Sequence, residues 1–218
     1  MDSKSERLVR MLCEKNRVIL LGGMAMLAHG SARFTRDVDI WLDPTKGIES
    51  WARSLASVVA HFKKMKLVSA RTQKEVSSKE IQSLVKREEM IRITGLDMDV
   101  DVFFRPNNLR TKDFDSVWTR STEKEKGLKI PDEIDLGLTK MGTERIQDRI
   151  DIEWLDAKII PVLSKRLESC NLDEAGIVFS RITSIPLLKS AMKNPNPHVR
   201  SLAAMLQKKI RKSRRKAE

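Results

Sequence analysis

The chain has 218 residues, of which 40% are hydrophobic and 33% charged, and its formal net charge is +12. That length buries one sizeable core, or a core with a smaller helical domain beside it. No apolar stretch approaches the ~20 residues needed to span a bilayer, and residues 1–7 lead into no long apolar run of the secretory kind, so the expectation is a cytoplasmic protein with no membrane contact. The two cysteines, Cys13 and Cys170, lie far apart with no other metal ligands beside them. They read as free thiols in a reducing compartment, and zinc is not expected.

In chain order, residues 4–15 predict an opening helix with Leu8, Met11 and Leu12 on one side. Residues 18–21 read as a first strand that ends in Gly22 and Gly23, followed by a short helix over 24–28. A second strand over 38–42 stops at Asp43-Pro44, because proline cannot continue a ladder. Trp51, Leu55, Val58, Val59 and Phe62 recur at helical spacing within residues 50–64. A short strand and loop are expected over 66–76, and a helix capped by Ser78 runs to 85. Residues 90–94 and 98–104 predict an antiparallel hairpin around Gly95. Phe103 and Phe104 there are expected to pack in the sheet. Beyond Pro106 the pattern turns helical: 112–119, then an extended piece at 129–131, then a helix from Asp132, which can cap it. Further helices are expected at about 162–170, 173–180, 185–192 and 199–212, the last two separated by Asn194-Pro195-Asn196-Pro197. The fold class is therefore α/β, a small mixed sheet with a helical C-terminal region. The expected divisions are a core over 1–125, helices over 126–207 and a basic tail over 208–218. That tail carries seven positive charges against Glu218 and self-repels, so it is expected to fray. Half of the net charge lies outside it, which suggests a polyanionic partner, RNA being the natural candidate.

The chemistry concentrates in residues 20–40. Glycines at a strand-to-helix turn let the backbone approach a phosphate, and the new helix offers unpaired N–H groups to it. Side chains alternate across a strand, so Asp37 and Asp39 point one way while Val38 and Ile40 point into the core. Two carboxylates so placed can hold a hard cation such as Mg²⁺, whose remaining ligands are water and substrate phosphate. A second acidic strand follows at residues 96–104, with Asp97, Asp99 and Asp101 on one side and Met98, Val100 and Val102 on the other.

The order Gly22-Gly23, His29-Gly30, Arg33, Thr35 and Asp37-Val38-Asp39 resembles the signature of the polymerase-β-like nucleotidyltransferase superfamily, in particular its AbiEii-type toxin and minimal-nucleotidyltransferase branches. The superfamily usually has Ser after the first Gly; Gly23 stands there instead, so that hydroxyl is missing. The resemblance covers about residues 16–155 and is specific over 20–42 and 98–104. It implies a third carboxylate, best matched by Asp101 with Asp99 as second choice. It implies two Mg²⁺ ions held by Asp37, Asp39 and Asp101, with an NTP as substrate. Backbone donors of Gly22 and Gly23 would bind the β- and γ-phosphates, and Arg33 and Arg36 lie close enough in sequence to clamp phosphate or to pair with the acidic cluster. Residues 145–152 resemble a minimal-branch segment in which Lys140 would face the triphosphate; an ordinary helix lysine remains the other reading. Arg145 with Asp148 or Asp151 reads as a structural ion-pair network. His29 reads as a turn histidine within reach of phosphate. The implied activity is transfer of an NMP to a hydroxyl acceptor, RNA such as tRNA, in a toxin–antitoxin or defence setting. The alternatives are a catalytically inactive binding or antitoxin module with a protein partner, or an enzyme that nucleotidylates a protein.

Overall fold

The computed structural model describes residues 3–87, 90–169 and 185–214. The helix expected near 173–180, Cys170 and the end of the tail at 215–218 lie outside the described residues. The chain divides into two units, residues 1–132 and 133–218.

In the first unit, helix α1 (Lys4–Cys13) starts at a Ser3 cap whose hydroxyl accepts from the Glu6 amide while Glu6 returns a bond to the Ser3 amide. Strand β1 (Val18–Leu20) leads into helix α2 (Gly22–Ala28) and strand β2 (Asp37–Leu42). Helix α3 (Gly47–Val59), strand β3 (Lys66–Ser69) and helix α4 (Ser78–Lys86) follow. The cap of α4 is Ser77, one residue before the expected Ser78, because Ser77 is the residue that stands three before Glu80 and can complete the reciprocal box. Strands β4 (Ile91–Thr94) and β5 (Asp99–Phe103) form the expected hairpin. After a 3-10 turn at Thr111–Asp113 come helix α5 (Phe114–Arg120) and a second hairpin, β6 (Thr122–Glu125) with β7 (Leu128–Ile130).

The seven strands form one mixed sheet in the order β3-β4-β5-β2-β1-β7-β6. The β2–β5 and β1–β7 pairs are parallel and the others antiparallel. Register divides the sheet into two unlike faces. Val38 pairs with Val100 and Ile40 with Val102, and Ile91 and Ile93 continue these rows on β4. All are buried. Helices α1, α3 and α4 pack side by side and bury Leu8, Leu12, Trp51, Leu55, Ile81 and Leu84, which complete this core. The Trp51 indole donates to the Leu42 carbonyl at 3.2 Å and fixes α3 against β2.

The opposite face carries Asp37, Asp39 and Trp41 on β2, with Asp99, Asp101 and Phe103 beside them on β5. Its two ends differ. Trp41 is fully buried, meets Phe114 of α5 edge to face at 4.9 Å and donates to the Phe104 carbonyl at 3.0 Å. Asp39 and Asp37, one and two pleats earlier, are only half-buried. Phe104 packs edge to face on Trp51, as sheet packing requires. Asp97 lies before β5 begins and takes no part in the face. Its carboxylate accepts from the Ser5 amide at 2.9 Å and the Ser5 hydroxyl at 3.0 Å, tying the start of α1 to the hairpin. Burial opposes its charge, yet these bonds hold it below the ordinary carboxylate range.

The second unit is helical: α6 (Glu133–Lys140), α7 (Ile146–Ser169), α8 (Ile185–Ala191) and α9 (Pro197–Arg214). Helix α7 begins well before the helix expected at about 162–170 and runs unbroken into it, with Pro161 inside. The basic run from Lys208 continues α9 as far as Arg214. No described helix is long and apolar enough to cross a membrane.

The Trp41–Phe114 contact closes one end of the acidic face, so Trp41→Ala should cost about 3–5 kcal/mol of folding stability. Urea denaturation measures it. A loss below about 1 kcal/mol would show that this end is not packed as described.

Candidate functional site

The carboxylates meet because two strands run parallel in register. Asp37 stands opposite Asp99 and Asp39 opposite Asp101. Neighbouring strands lie about 4.8 Å apart, a distance at which like charges side by side repel. On the far side of β5 the antiparallel strand β4 places Arg92 opposite Asp101. One row across three strands therefore reads Arg92, Asp101, Asp39, and the row beside it carries Asp99 and Asp37.

Arg92 grips Asp101 with both arms of its fork: Nε donates to one carboxylate oxygen at 2.7 Å and Nη2 to the other at 2.8 Å. The Asp101 side chain is 3% exposed and that of Arg92 27%. The guanidinium is pushed above its ordinary value chiefly by these hydrogen bonds; burial opposes them, and the charges of Asp101, Asp99 and Asp37 add to the rise. Arg92 thus feels the charges of three of the four aspartates, Asp101, Asp99 and Asp37. It was not singled out from sequence. The signal available was its place in the hairpin: pairing around Gly95 brings Arg92 across from the central aspartate of β5.

The glycines serve the carboxylates directly. Gly22 has φ +54° and lies against the Asp39 side chain, so a Cβ there would overlap the Asp39 carboxylate. The Leu21 amide also donates to the Asp39 carbonyl at 2.8 Å, pinning the turn to β2. Gly23 faces Thr35: a Cβ at 23 would fall 2.6 Å from the Thr35 Cβ and against its hydroxyl. The Thr35 hydroxyl in turn donates to a carboxylate oxygen of Asp37 at 2.9 Å. The space that a serine side chain would fill after the first glycine is thus occupied by the hydroxyl of Thr35, brought in from the following loop. Arg33 reaches the same place, its Nε 3.3 Å from that Cβ position. Thr35 turns inward, and Phe34 and Arg36 turn out. Phe34 is 78% exposed, and the Arg36 guanidinium sits 5.7 Å from its ring centre.

Other expected residues lie as follows. His29 donates from Nε2 to the Pro131 carbonyl at 2.8 Å. Cys13 is buried, and burial, helped by the charge of Glu125, pushes its thiol up to about 12, which leaves it without thiolate character at neutral pH. In the second unit Lys140 is buried, with its ammonium 2.7 Å from Asp151 and 3.4 Å from Asp148. Thr143 donates to Asp148 at 2.8 Å and Gln147 to Asp151 at 3.2 Å. Arg145 lies 3.9 Å from Asp148 at the rim of this network.

Among the described residues no three His, Cys, Asp or Glu side chains gather as metal ligands. The Asp37–Asp39 pair has the hard oxygen donors that suit a divalent cation keeping water and phosphate in its shell. Asp101, opposite Asp39 on β5, turns both of its oxygens to Arg92. The residues fit a two-carboxylate cation site, with Asp101 paired to Arg92 beside it.

Neither protein-family models nor curated proteins give a match to this chain. Among solved structures, one from H. pylori of a protein provisionally described as a nucleotidyltransferase is similar over 95% of both chains, at 15% identity and a TM-score of 0.35. A likeness at that score assigns no activity to this chain.

Two substitutions test the packing of these groups. Gly22→Ala puts a side chain at positive φ and into Asp39, so it should destabilise the protein by at least about 1–3 kcal/mol in thermal or urea denaturation. Unchanged stability would mean that Asp39 does not lie on Gly22. Lys140→Met strands two buried carboxylates and should cost about 3–5 kcal/mol. A variant that keeps its melting temperature and loses affinity for nucleotide would instead put the ammonium on the triphosphate.

Proposed function

We propose that this protein is a Mg²⁺-dependent nucleotidyltransferase that moves an NMP from an NTP to a hydroxyl acceptor. The observation that carries the reading is the parallel β2–β5 register, which gathers Asp37, Asp39, Asp99 and Asp101 on one half-open stretch of sheet beside a glycine turn. Four carboxylates so close are unfavourable for folding alone and suited to a cationic ligand. The chain resembles the polymerase-β-like superfamily in the same residues.

In this reading Asp37 and Asp39 hold the cation, and Thr35 orients the Asp37 carboxylate through its hydroxyl. A bound divalent ion neutralises phosphate charge and lowers the pKa of an acceptor hydroxyl. Arg33, which reaches the Gly23 turn, contacts the phosphates, and the backbone at Gly22 and Gly23 admits them closely. The acceptor oxygen bonds to the α-phosphorus as its proton leaves, the bond to the β-phosphate oxygen breaks, and pyrophosphate departs with the electron pair. No covalent enzyme intermediate is needed. The net charge of +12 favours a polyanionic acceptor, and RNA fits it. Asp101 joins the cation only when released by Arg92.

A second reading is a binding module of the same fold without turnover. The bidentate Arg92–Asp101 pair favours it, because it keeps the third carboxylate out of reach.

Incubation with each α-labelled NTP, Mg²⁺ and total RNA separates the two. The enzyme reading predicts label on RNA and loss of at least ~10²-fold in rate for Asp37→Ala or Asp39→Ala, with folding retained. Labelled nucleotide that binds and is never transferred to RNA or protein would leave the module reading.

A further inference from the structure

Asp101 occupies an unusual place in its row. Across β2 its neighbour is Asp39, which belongs to the candidate cation site; across β4 its neighbour is Arg92. All three side chains project from the same face, since directly paired residues share a face. A buried carboxylate between a carboxylate and a guanidinium takes the cation it can reach. In this structure that cation is Arg92, which satisfies both oxygens at 2.7 and 2.8 Å. An ion between Asp37 and Asp39 would lie on the other side of the same carboxylate.

We propose that Arg92 is a built-in counter-cation that competes with the divalent ion for Asp101. The inference rests on the cation-site reading given above and adds a positioning residue to it. With Arg92 in place the protein folds without metal, because the most buried carboxylate of the cluster is already neutralised. With an ion bound at Asp37 and Asp39, Asp101 exchanges one cation for the other. The cost of opening the ion pair sets the affinity of the site. A competent state that is populated only in part weakens apparent affinity by that fraction. Arg92 therefore makes the metal site weaker and the empty protein more stable. The partly exposed guanidinium has room to move, whereas Asp101, 3% exposed in the middle of a strand, has not.

The probe is Mn²⁺ alone, titrated against the 218-residue chain with free Mn²⁺ read by electron paramagnetic resonance. Arg92→Gln should bind Mn²⁺ at least about tenfold more tightly than the wild type, the factor expected if the pair is closed nine-tenths of the time. Without metal its melting temperature should fall, and Mn²⁺ should raise it by more than it raises that of the wild type. Where Arg92→Gln does not fold, Arg92→Lys carries the test, since one ammonium cannot bridge both oxygens as the fork does. Removing any nearby positive charge favours a cation, so two double variants of equal net charge are compared. The gain should vanish in R92Q/D101N and persist in R92Q/D99N. Equal loss of the gain in both would reduce the effect to unspecific electrostatics and overturn the proposal. Loss only in R92Q/D99N would make Asp99 the third ligand and overturn it as well. So would a folded Arg92 variant with wild-type or weaker affinity. If the wild type and every variant bind no Mn²⁺ at millimolar concentration, the cation-site reading itself falls, a result distinct from the others.

Discussion

Repulsion between carboxylates on adjacent parallel strands is the constraint to which one side of this molecule answers. The β2–β5 register sets Asp37 beside Asp99 and Asp39 beside Asp101. Slipping either strand by one residue would turn its two aspartates into the apolar core, so the hydrophobic rows of Val38, Ile40, Val100 and Val102 enforce the acidic rows. Burial of the apolar face thus holds together charges that would otherwise separate. Arg92 relieves one of the four from within the sheet.

The small residues around the cluster are there because the carboxylates need the space. Gly22 leaves room for Asp39, and Gly23 leaves room for Thr35, whose hydroxyl then holds Asp37. The aromatic end of the same face has the opposite character. Trp41 and Phe114 bury one another, and the indole N–H finds the Phe104 carbonyl. Strand β2 is therefore rigidly packed at its C-terminal end and open at its N-terminal end, which suits a site that must be both fixed and accessible.

Much of this was legible in the residues. Alternation assigned the inward and outward sides of β2 and β5, and the glycine at position 95 marked the β4–β5 hairpin, because period-2 patterning and turn chemistry are local properties. The β6–β7 hairpin was legible only as an extended piece at 129–131. The sequence Thr122–Glu125 is fully exposed and polar, so it carries no alternation to read. Arg92 escaped because its importance lies in its cross-strand partner, a long-range relation that no window of sequence displays. The buried pairing of Lys140 with Asp148 and Asp151 was hidden for a similar reason: the lysine ends α6 and the aspartates open α7, and their nearness in sequence did not show that all three are buried together. The glycine pair was read as a place where phosphate approaches the backbone, and its steric debt to Asp39 and Thr35 emerged only from the packing.

Diffraction from crystals grown with Mn²⁺ and a non-hydrolysable NTP analogue tests nucleotidyl transfer at this face most directly. The predicted result is an anomalous peak between the Asp37 and Asp39 carboxylates, with triphosphate oxygens completing its shell beside Gly22 and Gly23. Mn²⁺ and nucleotide bound together elsewhere on the chain, with the acidic rows unliganded, would contradict it.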